Sequence, residues 1–354
     1  MRRLLLPLLC LGLGLCLTSC PGSIFNRRPN GKFQETPVNL DVINSDTDDY
    51  NSNIPINWGG QDYILFSSKR ARGDKFNLVL KPLALAYDDK AKQLTASIGN
   101  FGLSHLAKDE DFYERLMKKA NQDCNVLGPV TYSIVQERSA AGPDEQGRHL
   151  LLYADDSKGD LQIKFVHNFN DKYIPEGPFE VSWLNSSKDD AYPTFSGDFS
   201  TLYFCSNRDG NFDIFEVAIP TDKKQLLQTL LSDKPLPVTK NTRLSSPADD
   251  KCPHLPGGWS RSNDNVMYFV SDRSGGYGGF DIYYSTRVNG QWKQPVNIGS
   301  RINTTYDEYR PTTLREGDFE YHVGIFSSNR PGGKGGFDLY VVGFLQGGEI
   351  PYGN

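Results

Sequence analysis

The sequence predicts an all-β fold, a five-bladed β-propeller closed by an N-terminal outer strand, and three observations carry that prediction. First, a phrase of strand, Gly-rich turn and strand is written three times: SNRDGNFDIF at 206–215, SDRSGGYGGFDIY at 271–283 and SNRPGGKGGFDLY at 328–340. Second, an acidic pair precedes each phrase, with proline three residues after its second member: Asp189-Asp190 with Pro193, Asp249-Asp250 with Pro253, and Asp307-Glu308 with Pro311. Third, the segment 30–40 (NGKFQETPVNL) matches 289–298 (NGQWKQPVNI), so the chain starts on the outer strand of a unit and ends near Phe344, after the third strand of one. A lone hairpin cannot bury its two faces, so units of this kind stack on one another. A ring completed by the N-terminal strand leaves only short, protected edges.

In chain order, residues 1–19 read as an export signal: Arg2 and Arg3, then an apolar stretch from Leu4 to Leu17 that is too short to span a bilayer. Leu17-Thr18-Ser19-Cys20 resembles a bacterial lipobox, which makes Cys20 the lipidated first residue of the mature protein and its acyl chains the contact with a membrane. Residues 20–30 are rich in Pro, Gly, Ser, Asn and Arg and form the expected tether. The propeller is assigned to 31–345, and 346–354 to a C-terminal tail.

Inside the propeller a weaker copy of the phrase at 63–80 and a degenerate one at 150–166 bring the count to five. The third-strand acids Asp213, Asp281 and Asp338 become Asn77 and Gln162 in these copies. The interval 81–150 is long enough for another unit, so six blades is the alternative. Each unit is expected to hold an inner strand after the acidic pair, a strand before the Ser-x-Arg turn, a strand carrying Asp-Ile-Tyr, and an outer strand with Pro-Val-Asn. Short runs of Phe, Tyr, Val and Ile bounded by Gly, Asn, Asp and Pro are what such strands require.

Two segments depart from the repeat. Residues 109–120 place Phe112, Leu116 and Ala120 on one face and acids ahead of bases, which suits a short helix and its dipole. Residues 223–231 carry a weaker helical pattern. The first insertion reads either as a cap packed over the degenerate unit or as a partner-docking element.

Taken together, these motifs resemble the TolB-type (WD40-like) β-propeller repeat family, whose units carry a Ser-x-Arg-x-Gly-x-x-Asp-Ile-Tyr core. The resemblance implies a non-catalytic protein–protein interaction platform in an envelope assembly. Its partner would be an outer-membrane barrel or a secretion or transport machine. Residues 21–25 carry no acid, and by the family's sorting rule the protein would then face the periplasm from the outer membrane, the cell surface being the alternative.

The chemistry legible in the chain is sparse. A net charge of −5 gives no basic face for nucleic acid. Signal and lipid account for three cysteines, leaving Cys124, Cys205 and Cys252, an odd number without CxxC spacing; a Cys205–Cys252 bridge stays open. His105, His149, His167, His254 and His322 are scattered, no EF-hand spacing exists, and neither metal nor cofactor is expected. Arg208, Arg273 and Arg330 recur with Asp190, Asp250 and Glu308, as do the third-strand acids Asp213, Asp281 and Asp338. They are read as a structural motif of the repeat, guanidinium on carboxylate and carboxylate on its own turn.

Because the repeat itself accounts for almost every conspicuous acid, no enzyme is expected. Two alternatives remain: a glycan-binding or glycan-cleaving propeller working with two carboxylates, and a cation-stabilised structural subunit. Function is expected where the phrase fails, with Trp259, in a loop that breaks the pattern, and Phe112 and Leu116 of the insertion as candidate partner contacts.

Overall fold

The computed structural model describes residues 36–54, 62–88, 90–91, 93–98, 107–133, 149–171, 174–219, 225–256, 265–314 and 321–345. Strand β1 (Val38–Asn39) is the first strand among the described residues, and β2 (Asp49–Asn53), β3 (Asp62–Ser68), β4 (Asn77–Asp88) and β5 (Gln93–Ser97) form the first antiparallel blade. After helix α1 (Ala107–Ala120) the second blade is β6 (Val126–Ser133), β7 (His149–Asp155), β8 (Gln162–His167) and β9 (Glu176–Glu180). The third is β10 (Asp190–Phe195), β11 (Thr201–Ser206), β12 (Asp213–Ala218) and, after the short helix α2 (Leu226–Leu230), β13 (Thr239–Lys240). The fourth is β14 (Asp250–His254), β15 (Val266–Ser271) and β16 (Asp281–Val288), with β17 (Gln291–Trp292) and β18 (Val296–Asn297) both paired to β16. In the last, β19 (Glu308–Leu314), β20 (Tyr321–Ser328) and β21 (Asp338–Leu345) accept β1 as their fourth strand, with Val38 opposite Val341. There are five blades, and the N-terminal strand closes the ring. The interval 81–150 holds blade strands and a helix instead of a sixth unit.

Each inner strand touches the inner strands of its two neighbours, and the acidic pairs build those joints. The first member of each pair accepts the backbone N–H of the residue that precedes the third strand of the blade before it. Asp189 takes Leu161, Asp249 takes Phe212 and Asp307 takes Phe280, each at 2.9 Å, and Asp48 takes Phe337 at 3.0 Å. Asn125 does the same for Phe76 at 2.9 Å in the blade without an acidic pair. The second member returns its own N–H to the same neighbour's carbonyl, as from Asp190 to Leu161 and from Asp49 to Phe337. Two reciprocal bonds per joint satisfy groups that would otherwise be orphaned at the blade edges.

The second acid of each pair turns inward to its own blade. In the third blade Asp190 accepts Nη2 of Arg208 at 2.6 Å and both N–H and Oγ of Ser186, while Arg208 reaches the Leu184 carbonyl and Ser206. The same clamp joins Asp49 to Arg70, Asp250 to Arg273 and Glu308 to Arg330. The guanidinium planes lie over aromatic rings, Arg330 over Phe326 and Tyr340 at about 5 Å. The second blade lacks the arginine, and there Asp155 pairs with Lys164 at 2.7 Å.

The Gly-Gly-x-Gly-Gly turns follow from close approach. A Cβ at Gly276 or Gly333 would strike the third-strand acid of its own blade, Asp281 or Asp338, and one at Gly278 or Gly335 would strike the backbone at Thr305 or Thr47 of the neighbouring connection. Asp281 and Asp338 accept N–H groups from these turns, those of Tyr277 and Lys334. Asp213, whose turn is shorter, pairs with Lys240 at 2.5 Å instead.

Helix α1 packs Tyr113, Leu116, Met117 and Ala120 against Leu65 and Leu78 of the first blade and Leu151, Tyr153 and Val166 of the second. Its buried face thus includes Tyr113 and Met117 beside the expected Leu116 and Ala120. Leu226 and Leu230 of α2 are buried against the third blade, where Trp183 Nε1 donates to the Thr229 carbonyl.

Candidate functional site

Each inner strand runs from the acidic-pair face, where Asp49 lies opposite Ser68, toward the other face of the ring. The connections into the inner strands and the turns between second and third strands therefore share one face. At its centre is the mouth of the axial channel. Tyr50, Lys251 and Tyr309 stand there, each the second residue of its inner strand, and Phe76, Phe212, Phe280 and Phe337 arrive from the turns. Tyr50 stacks on Tyr309 with centroids 5.0 Å apart, and tilts against Phe337 at 4.7 Å and Phe76 at 5.7 Å. Phe280 meets Tyr309 edge-on at 5.2 Å. The Lys251 ammonium sits 4.2 Å from the Phe212 centroid and 4.8 Å from that of Phe280, and pairs with Asp249 at 2.9 Å.

Burial pushes the Tyr50 and Tyr309 phenols well above their ordinary range, so both remain neutral donors and acceptors. Around this floor the partly exposed carboxylates Asp48, Asp189, Asp249 and Asp307 rise from the latches. Farther out, Tyr277 (48 % exposed) and Tyr306 (42 %) stand on the two segments that meet where Gly278 approaches Thr305.

One residue deeper the channel closes. Asn51, Gly128, Tyr192, Cys252 and Arg310 occupy one position in five blades, and all have a left-handed backbone with φ between 50° and 60°. Every inner strand breaks register there. Such a φ is costly for residues with a Cβ, and four of the five positions, Asn51, Tyr192, Cys252 and Arg310, carry side chains that meet at the axis, while Gly128 leaves room for Tyr192. Tyr192 lies against Gly128 so closely that a Cβ there would meet its ring. Arg310 crosses from the fifth blade to the carbonyls of Gly128 and Pro129 in the second, at 3.4 and 3.2 Å, and Asn51 reaches the Tyr192 hydroxyl at 3.5 Å. The channel is plugged at its waist. A chain-like ligand would be met at the mouth.

The sequence-predicted residues separate cleanly. Arg208, Arg273, Arg330, Asp190, Asp250 and Glu308 form the blade clamps, and Asp213, Asp281 and Asp338 anchor the third strands; none lines the mouth. Leu116 is 1 % exposed inside the core, so it offers no surface to a partner. Phe112 lies on α1, but its side chain is outside what the structure describes, as are Cys20 and Trp259 altogether. Cys124, Cys205 and Cys252 are free, buried thiols, and among the described residues no group of His, Cys, Asp or Glu could hold a metal ion. Sequence reasoning missed the aromatic mouth. Its signal was present, since a bulky residue precedes the third-strand position in all five units, as Phe76, Leu161, Phe212, Phe280 and Phe337.

No protein-family model and no curated protein matches the chain. Solved structures do match in fold. An endo-arabinase from Bacteroides thetaiotaomicron superimposes with a TM-score of 0.51 at 11 % identity, over 89 % of this chain and 99 % of that one. An α-L-arabinofuranosidase from Lactobacillus brevis gives 0.50 at 10 % identity, over 86 % and 96 %. These neighbours correct the expectations drawn from the repeat phrase. The TolB-type resemblance, the non-catalytic interaction platform and the absence of enzymatic activity are overturned by glycan-cleaving propellers that share this five-bladed fold. The physical reason is that the phrase encodes blade joints and clamps, which any propeller needs, and says nothing of what the mouth binds.

Proposed function

We propose that this protein is a carbohydrate-active propeller that takes a glycan across the aromatic mouth of its acidic-pair face. The observation that carries the reading is the set of partly exposed rings of Tyr50, Phe76, Phe280 and Phe337 gathered over the buried Tyr309, with the carboxylates Asp48 and Asp307 at the adjoining latches. A sugar ring presents an apolar C–H face and a polar rim. Aromatic faces meet the first, and carboxylates and phenols meet the second. The fold shared with the endo-arabinase and the arabinofuranosidase supports the same reading.

Glycosidases of the common type need two carboxyl groups about 5–10 Å apart. The inner strands offer none beyond their first residues, and those first acids are buried in the clamps. Cleavage would therefore draw on the carboxylates around the mouth. The experiment is a panel of arabinan, arabinoxylan, xylan and galactan, read for binding by calorimetry and for release of reducing ends. Binding or cleavage lost in Tyr50→Ala supports the reading, and a panel without either overturns it.

Tethering to an outer membrane through Cys20 is a separate proposal that rests on the Leu17–Cys20 segment alone. Its test is metabolic labelling with a fatty acid. Label retained in Cys20→Ser would end it.

A further inference from the structure

Among the described residues Arg310 is the largest fully buried side chain, 1 % exposed, and no carboxylate of those residues pairs with its charge. A guanidinium has five N–H donors and stays protonated in proteins. Here only Nη2 is engaged, with the Gly128 and Pro129 carbonyls, while Nε and Nη1 have no partner. The other repeat arginines each hold a carboxylate; Arg310 holds none.

Its surroundings are neutral. The Tyr192 ring lies under the guanidinium at 5.3 Å, and burial raises the Tyr192 and Tyr132 phenols, so neither supplies a negative charge. The Cys252 thiol, the equivalent residue of the adjoining blade, is pushed up to about 12 by burial and stays protonated. Cys205 is raised by the same cause. Lys251, the other cation whose field reaches these thiols, is already paired with Asp249. Asn51, which also meets Tyr192, keeps its Oδ1 without a partner. Its amide can turn either end toward the axis, because the two orientations differ only by rotation of the terminal group.

An unpaired ion taken out of water costs several kcal/mol even after relaxation, and three unused donors add to that cost. Water would serve the donors and leave the charge. We propose that the waist of the axial channel holds a single monovalent halide ion against one free edge of Arg310, at Nε or at Nη1, beside Asn51 and Tyr192. A monoatomic anion suits a site closed by Tyr192 against Gly128, and one negative charge suits one cation. The inference is independent of the glycan reading, because it concerns the plug below the mouth.

The test uses the full mature chain exchanged into sodium gluconate. Chloride or bromide is titrated in at constant ionic strength while thermal unfolding is followed. The expected result is a saturable rise in Tm with halide that is absent in Arg310→Met. Because Arg310 is buried and its replacement also alters packing, crystals of the unmodified protein grown in bromide supply a second measurement. An anomalous peak beside Arg310 Nε or Nη1 supports the proposal. Identical melting in gluconate and halide, or crystals with only water beside Arg310, overturns it.

Discussion

The backbone N–H of Phe337 donates to Oδ1 of Asp48 at 3.0 Å, joining residues 289 apart in sequence, and Asp49 returns its N–H to the Phe337 carbonyl at 2.8 Å. The same pair of bonds forms at every other joint between consecutive blades. At this one, together with β1 pairing to β21, it closes the ring.

Asp48→Ala should cost about 1–3 kcal/mol, the range for leaving a buried donor unmatched. Asp249→Ala, which breaks the equivalent latch between the third and fourth blades, should cost a similar amount. Hydrogen exchange separates them: only Asp48→Ala should speed exchange in β1 and β2. Equal protection of those strands in both variants would mean that β1 alone holds the ring shut.

The clamps should behave as units. Asp250 is fully buried and accepts Arg273, Ser246 N–H and Ser246 Oγ, so Asp250→Ala strands a guanidinium as well as the serine donors. About 3–5 kcal/mol is expected for removing one partner of such a pair. In a double-mutant cycle by urea unfolding, Asp250→Ala with Arg273→Met should cost clearly less than the two single changes added together.

Acid should weaken the joint beneath α1. His149 packs on Tyr113 with centroids 4.6 Å apart, and burial pulls its pKa down to about 4 from the ordinary 6.5. The unfolded chain takes up a proton below pH 6.5 that the folded one refuses. The contribution is therefore complete above pH 6.5 and is lost as pH falls to about 4, to the extent of about 3 kcal/mol. The Glu308 carboxyl, which burial raises, works with the opposite sign, so the measurement is the difference between wild type and His149→Phe. That difference should change between pH 6.5 and 4 and be flat above pH 7.

Tyr277 and Tyr306 are exposed on the acidic-pair face, outward of the aromatic mouth. Their alanine variants should melt within about 0.5 kcal/mol of wild type. Each should weaken binding of the glycan found in the panel by roughly five- to tenfold, the worth of about 1 kcal/mol. Unchanged affinity in both variants would place the glycan elsewhere.

Much of the scaffold was legible because one phrase recurs. Gly276, Asp281 and their equivalents repeat since each turn must fit against its own acid and the next blade's connection. The paired acids show where blades begin, although their two jobs, a latch by the first and a clamp by the second, separate only in the folded structure. Asn44, Asn185 and Asn303, five residues before the clamp acids, exchange side-chain bonds with the third strands at Leu339, Ile163 and Ile282. The sequence does not mark this position as part of the repeat, because Ser245 takes it in the fourth unit and Asn121, at the end of α1, takes it in the second.

By itself the sequence determined the all-β repeat, the order of strands within a blade and the closure by β1, because those depend on local patterns that every unit must repeat to bury its faces; the choice of five blades over six came from the structure. Only the tertiary structure decided what stands on the axis. Asn51, Gly128, Tyr192, Cys252 and Arg310 share no chemistry and sit up to 259 positions apart. Nothing in their order along the chain marks them as neighbours until five strands bulge at the same place and turn them toward one line.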